Sequence, residues 1–146
     1  MTAPIVILSD YGMGAGTAAV KGVCKTFAPQ SRVFELSSDI PALNLGAAAD
    51  VLCAGMQAWP EGTVFLNLVD NGEKGRRQAM VATKDGYIVV SPDNKVLAAV
   101  EAAHGTAAKR DVSDLAACYG AECEKAALCH GRDLAYVAAK AAAKEL

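Results

Sequence analysis

Pro4-Ile-Val-Ile-Leu-Ser-Asp-Tyr-Gly-Met-Gly-Ala-Gly16 is an apolar run without alternation that breaks into an acid and three glycines. Uninterrupted apolar side chains suit a parallel strand covered on both faces, and the glycines supply the backbone freedom of a tight turn. The residues that follow, Thr17 to Phe27, carry Val20, Val23, Cys24 and Phe27 at helical spacing and are stopped by Pro29. Arg32-Val-Phe-Glu-Leu36 reads as a second strand and Asn44 to Met56 as an alanine-rich helix ended ahead of Pro60. Gly62 to Asp70 is a third strand ending in an acid, followed by the polar loop Asn71-Gly-Glu-Lys-Gly-Arg-Arg77. Gln78 to Thr83 and Tyr87 to Val90 flank Lys84-Asp-Gly86 as a hairpin, and Asp93 to Ala103 reads as a capped helix. Gly105 to Val112 stays open between strand and loop, Ser113 to Tyr119 reads as a short helix, and Asp133 to Lys144 as a terminal helix with lysines in its last turns. The expectation is one three-layer α/β domain over residues 1–146 with a mostly parallel sheet. Its strands lie near 4–9, 32–36, 63–69, 78–83 and 87–90, and its site lies beyond their carboxyl ends.

Composition narrows the function. The 146 residues are 53% hydrophobic and 21% charged, enough to bury a core and inconsistent with a disordered tail. A net charge of −2 leaves no general basic surface for a phosphate backbone, so nucleic acid is not an expected partner. Apolar runs such as Ile5–Leu8 and Val64–Val69 fall far short of the roughly 20 residues of a membrane span, and Met-Thr-Ala-Pro carries no basic leader. A cytoplasmic chain without membrane contact is expected. Cys24, Cys53, Cys118, Cys123 and Cys129 form an odd set without CxxC pairs, read as reduced thiols.

Three constellations carry chemistry. Gly12, Gly14 and Gly16 between strand and helix, with Glu35 in the second strand, fit a dinucleotide-type loop, although glycine turns also occur at such places without a ligand and Glu35 also fits a solvated acid. Asp70, Arg76, Arg77 and His130 are an acid at a strand tip, two cations in the next loop and a histidine before a helix. Such a set can activate water or hold an anion, because arginine stabilises negative charge, histidine accepts a proton near neutrality and a carboxylate orients both. The plainer alternative is solvated loop arginines and a histidine bonded to a helix start. Cys118, Cys123, Cys129 and His130 have zinc-ligand chemistry but not the close pairing of structural zinc sites, so no metal is expected. His104, ahead of Gly105, is read as capping helix carbonyls.

Ser9-Asp-Tyr-Gly12, Val20-Lys-Gly22, Ser38-Asp-Ile-Pro41 with Ala47-Ala-Ala49, Pro60-Glu-Gly-Thr-Val64, Val69-Asp-Asn-Gly72 with Arg77, Ser91-Pro-Asp-Asn94 and His130-Gly-Arg-Asp133 stand in a known order. Together they resemble the S-adenosyl-L-methionine hydroxide adenosyltransferase family, relatives of the fluorinase and chlorinase. The resemblance spans nearly the whole chain, and its sharpest parts are His-Gly-Arg-Asp and Pro-Asp-Asn. It implies hydrolysis of S-adenosylmethionine to adenosine and methionine, with Asp70, Arg77 and His130 catalytic. It further implies that Asp10, with Tyr11, Gly12 and Asn94, binds substrate, with Asp10 accepting from the ribose hydroxyls. No cofactor beyond the substrate is implied, and the assembly implied is a homo-oligomer, a trimer. Arg77 and His130 match the water-using branch rather than the halogenases.

This sequence departs from the family pattern at three places. Ala15 stands where a second acid is usual, and the loop Asp70-Asn-Gly-Glu-Lys-Gly75 replaces D-P-G-V-G-T, losing a proline and gaining two charges. The family's second, β-rich domain, which holds adenine against a neighbouring subunit, has no counterpart in these residues. Two other functions compete: a non-catalytic module binding a nucleoside or S-adenosylmethionine, and a methyltransferase using Gly12, Gly14, Gly16 and Glu35.

Overall fold

The computed structural model describes residues 2–122 and 131–146. Along the chain run β1 (Ile5–Leu8), α1 (Ala15–Phe27), β2 (Val33–Ser37), α2 (Leu45–Met56), β3 (Val64–Asn67), β4 (Gln78–Thr83), β5 (Ile88–Pro92), α3 (Lys95–His104), β6 (Thr106–Asp111), α4 (Ser113–Glu122) and α5 (Arg132–Ala142). The strands form one sheet in the order β2-β1-β3-β5-β4-β6. β2, β1, β3 and β5 are mutually parallel, whereas β4 runs antiparallel to both β5 and β6. The α/β class and the hairpin across Lys84-Asp-Gly86 agree with the sequence reading.

All four residues of β1 are buried because the pleat sends them alternately to two cores. Ile5 and Ile7 join Val64, Leu66, Val20, Cys24 and Leu134 on one face, while Val6 and Leu8 join Phe65, Leu52, Val89, Val96 and Val100 on the other. α1 and α5 thus cover one face and α2 and α3 the other. Alanine makes the first cover thin: Ala135, Ala138, Ala139 and Ala142 of α5 are completely buried.

β6 is where the sequence was least informative. Thr-Ala-Ala-Lys-Arg-Asp has no apolar alternation, and its burial pattern is that of a solvated edge. It is recruited by register, Ala79 opposite Asp111 and Val81 opposite Lys109, and its charges discourage further strand addition. α4 also outruns the expected Tyr119, reaching Glu122.

The topology brings several chain segments to one edge. The carboxyl ends of β1, β3 and β5 point the same way, and because β4 is antiparallel its first residue, Gln78, pairs with Pro92 at the end of β5. The loops beginning at Asp10, Asp70 and Asp93, and the arginines just before Gln78, therefore share that edge.

Candidate active site at the carboxyl edge

A buried polar network builds the Asp70 turn. Asn67, the last residue of β3, is fully buried, and its Nδ2 donates to Ser91 Oγ at 3.0 Å and to the Val69 carbonyl at 3.2 Å. Its Oδ1 accepts from Val69 N–H at 3.0 Å, bending the chain out of the strand. Asn94 completes the frame from the next strand. Its Oδ1 accepts from Val96 and Leu97 N–H as the N-cap of α3, and its Nδ2 donates to the Val69 carbonyl at 3.0 Å and to Asp70 Oδ1 at 3.2 Å. Asp70 Oδ1 also accepts from Asn71 N–H at 2.9 Å and lies 3.4 Å from Arg76 Nε. One carboxylate oxygen is thus fully engaged, and among the described residues Oδ2 of Asp70 has no partner, which leaves it for an incoming group.

Arg76 is tied down as firmly. Its Nη2 donates to Asn71 Oδ1 at 3.0 Å and Glu73 Oε2 at 2.9 Å, its Nη1 donates to the Asp93 carbonyl at 3.3 Å, and only 19% of its side chain is exposed. Arg77, one residue later and directly ahead of β4, projects elsewhere. Its Nε donates to Asp111 Oδ2 at 2.6 Å and 69% of its side chain is exposed. Asp111 is held down to about 2 chiefly by the backbone N–H of Ser113, then by the Ser113 hydroxyl and Arg77. The structure therefore brings Asp70, Asn94 and Arg76 together and does not bring Arg77 to them.

Asp10 follows the strand adjacent to β3. Its Oδ2 accepts from Leu43 N–H at 2.8 Å, with Leu43 in the left-handed region at φ 60°, and its Oδ1 is unpartnered among the described residues. Tyr11 packs beneath it against the start of α5, where a Cβ on Gly131 would run into the Tyr11 hydroxyl. Burial, then the nearby carboxylates of Asp10 and Asp133, push the Tyr11 phenol up to about 12, so it is neutral at any physiological pH. Gly12, at φ 70°, donates its N–H to the Ser38 carbonyl at 2.8 Å and accepts from Thr17 Oγ1 at 2.5 Å. That N–H is already committed within the protein. The expected catalytic residue His130, and Cys123 and Cys129 of the thiol set, lie outside the described residues.

Of the two readings left open for Glu35, the structure favours the solvated acid: it sits opposite Ile7 within β2 and pairs with Lys21 at 3.2 Å. His104 does bond a helix carbonyl, as read, but one of α2 rather than of its own helix, which closes at Gly105. Its Nε2 meets the Cys53 carbonyl of α2 at 3.1 Å and its Nδ1 meets Asp85 at 2.6 Å. Asn67 went unnoticed in the sequence, though a polar residue ending an otherwise apolar strand was the available signal.

A mostly parallel α/β sheet with helices on both faces defines an α/β protein, and the two half-engaged carboxylates mark its carboxyl edge as the candidate site. More narrowly, residues 5–146 match the model of the SAM hydroxide adenosyltransferase N-terminal domain, and the chain belongs to that family. It is 31% identical over 140 residues to the (R)-S-adenosyl-L-methionine hydrolase of Salinispora tropica, covering 94% of this chain and 52% of that protein. It is 37% identical over 92 residues to the hydrolase of the same name from Thermus thermophilus, covering 62% and 36%. A crystal structure of a conserved protein from Thermotoga maritima superposes with a TM-score of 0.84 at 29% identity, covering 95% of this chain and 54% of that one. The chain spans about half the length of these relatives, or less. Among the described residues no helix is long and apolar enough to cross a membrane.

Proposed function

We infer that this chain supplies the nucleophile-activating half of an S-adenosylmethionine hydrolase. Water oxygen attacks the ribose C5′, the C5′–O bond forms as the C5′–S bond breaks, and the sulfonium takes the electron pair to leave as the neutral thioether of methionine. The leaving group needs no acid, so the protein's task is to align and deprotonate water in a desolvated pocket. The observation that carries this reading is Asp70: one oxygen is locked by Asn94, Asn71 and Arg76 while the other is free to orient a nucleophile. Asp10, with one free oxygen on the adjacent strand, has the chemistry to accept from ribose hydroxyls. His130 is the base that takes the proton of water. Arg77 stabilises the hydroxide after leaving its exposed pair with Asp111, while Arg76 holds Asp70. No metal or further cofactor takes part.

Self-association, as a trimer, would cover the site. Met13 and Leu43, beside Asp10, are exposed apolar residues at 97% and 60%, a surface that favours burial against a second chain. A second reading, a non-catalytic S-adenosylmethionine-binding module, is favoured by Arg76 being already neutralised by Asp70 and Glu73. Adenosine release from S-adenosylmethionine decides between them. Hydrolysis that falls at least about a hundredfold in Arg77→Ala and Asp70→Asn with binding retained supports the enzyme. Binding without turnover in the unaltered protein supports the module.

A further inference from the structure

A groove of about 820 Å³ opens at the opposite edge of the sheet. Pro4 and Arg32, directly ahead of β1 and β2, line it with Phe34, Trp59 and Lys144, which places it at the amino ends of the strands, away from Asp70 and Asp10. Its apolar wall is aromatic: the Phe34 and Trp59 rings lie 5.2 Å apart at 53°, and Phe34 is 38% exposed at the edge strand. Its charge is of one sign. The lining holds two cations and no carboxylate, and neither Arg32 nor Lys144 has an ion-pair partner among the described residues. Of the acids nearest in sequence, Glu35 pairs with Lys21 at 3.2 Å and Glu145 with Lys140 at 2.8 Å, and the Glu61 side chain lies against Gly86.

Unpaired cations beside an aromatic face select an anion attached to a flat ring. The ring stacks on indole, as bases stack on aromatic side chains, and the guanidinium and ammonium meet the negative group. A volume of this size suits a ligand of a few hundred daltons. We propose that the Trp59–Phe34 groove is a second small-molecule site, for a planar aromatic ring bearing a phosphate, separate from the site at the carboxyl edge. The binding does not depend on the hydrolase reading.

Trp59 is the single tryptophan of the chain, so its fluorescence reports this groove without labelling. Titration of the protein with AMP is expected to quench Trp59 saturably, with adenosine at least about tenfold weaker and inorganic phosphate giving no quench, because ring and anion act together. Arg32 and Lys144 are exposed, so Arg32→Glu and Lys144→Glu preserve the fold, and each should weaken AMP by about tenfold or more while leaving adenosine formation from S-adenosylmethionine unchanged. Absence of saturable quenching, equal quenching in the charge-reversed variants, or AMP binding by calorimetry with no change at Trp59 would each overturn the proposal.

Discussion

The turns after β3 and β1 leave the same edge of the sheet and each opens with an aspartate, but they are held by different means. Around Asp70 the support is buried side chain: Asn67, Ser91 and Asn94 lie below it and every amide of the two asparagines is bonded. Around Asp10 the support is backbone, a single N–H from Leu43 and a glycine turn joined to Ser38, with Met13 projecting into solvent. The contrast teaches a division of labour. A carboxylate meant to orient a nucleophile gains from a rigid frame set before substrate arrives, whereas a loop meant to receive a large substrate or a second chain gains from remaining open until contact.

Asn94 holds the largest share of the Asp70 frame. Asn94→Ala removes the α3 cap and the amide that holds both Val69 and Asp70, and is expected to destabilise the fold by about 2–4 kcal/mol in urea unfolding. A loss no greater than that of an exposed alanine substitution would mean the network is not a frame.

A pair of glycines sharpens the other side. Gly131 and Gly12 both adopt left-handed conformations, at φ 79° and 70°, but a Cβ at Gly131 meets the Tyr11 hydroxyl while one at Gly12 meets nothing within 4 Å. Gly131→Ala should therefore cost about 2–3 kcal/mol and perturb near-ultraviolet dichroism from Tyr11. Gly12→Ala should cost only the backbone term, about 1 kcal/mol by the same unfolding measurement. Equal losses would show that Tyr11 does not tie the Asp10 turn to α5.

The smallest effect is expected far from either turn. Burial would raise the Asp85 carboxyl, but hydrogen bonds from His104 and Thr83 outweigh it and hold the group below its ordinary 3.8. A depressed carboxylate contributes stability that is present above its unfolded value and lost as pH falls through the folded one. Asp85→Asn should thus flatten the acid limb of stability below about pH 3.8 and change little at neutrality, in keeping with a carboxylate that is 44% exposed. An unchanged acid limb would remove Asp85 from the clasp between α3, α2 and the β4–β5 turn.

Much of this molecule was legible in its residues. The apolar run Ile5–Leu8 and the glycines after it specified a buried parallel strand and its turn, the hairpin at Lys84-Asp-Gly86 was local chemistry, and the acids read at strand tips, Asp10 and Asp70, do share the sheet's carboxyl edge. These signals survive in sequence because strand period, turn geometry and capping are set by neighbours a few residues apart. What only the tertiary structure decided was pairing between distant segments. β6 has no pattern of its own and exists because β4 offers it a register, and Asn67 reaches Ser91 across 24 residues. The two arginines show the reason most plainly. Arg76 and Arg77 are chemically the same and adjacent, and only the placement of their segment between the Asp70 turn and β6 decides that Arg76 meets Asp70 and Arg77 meets Asp111.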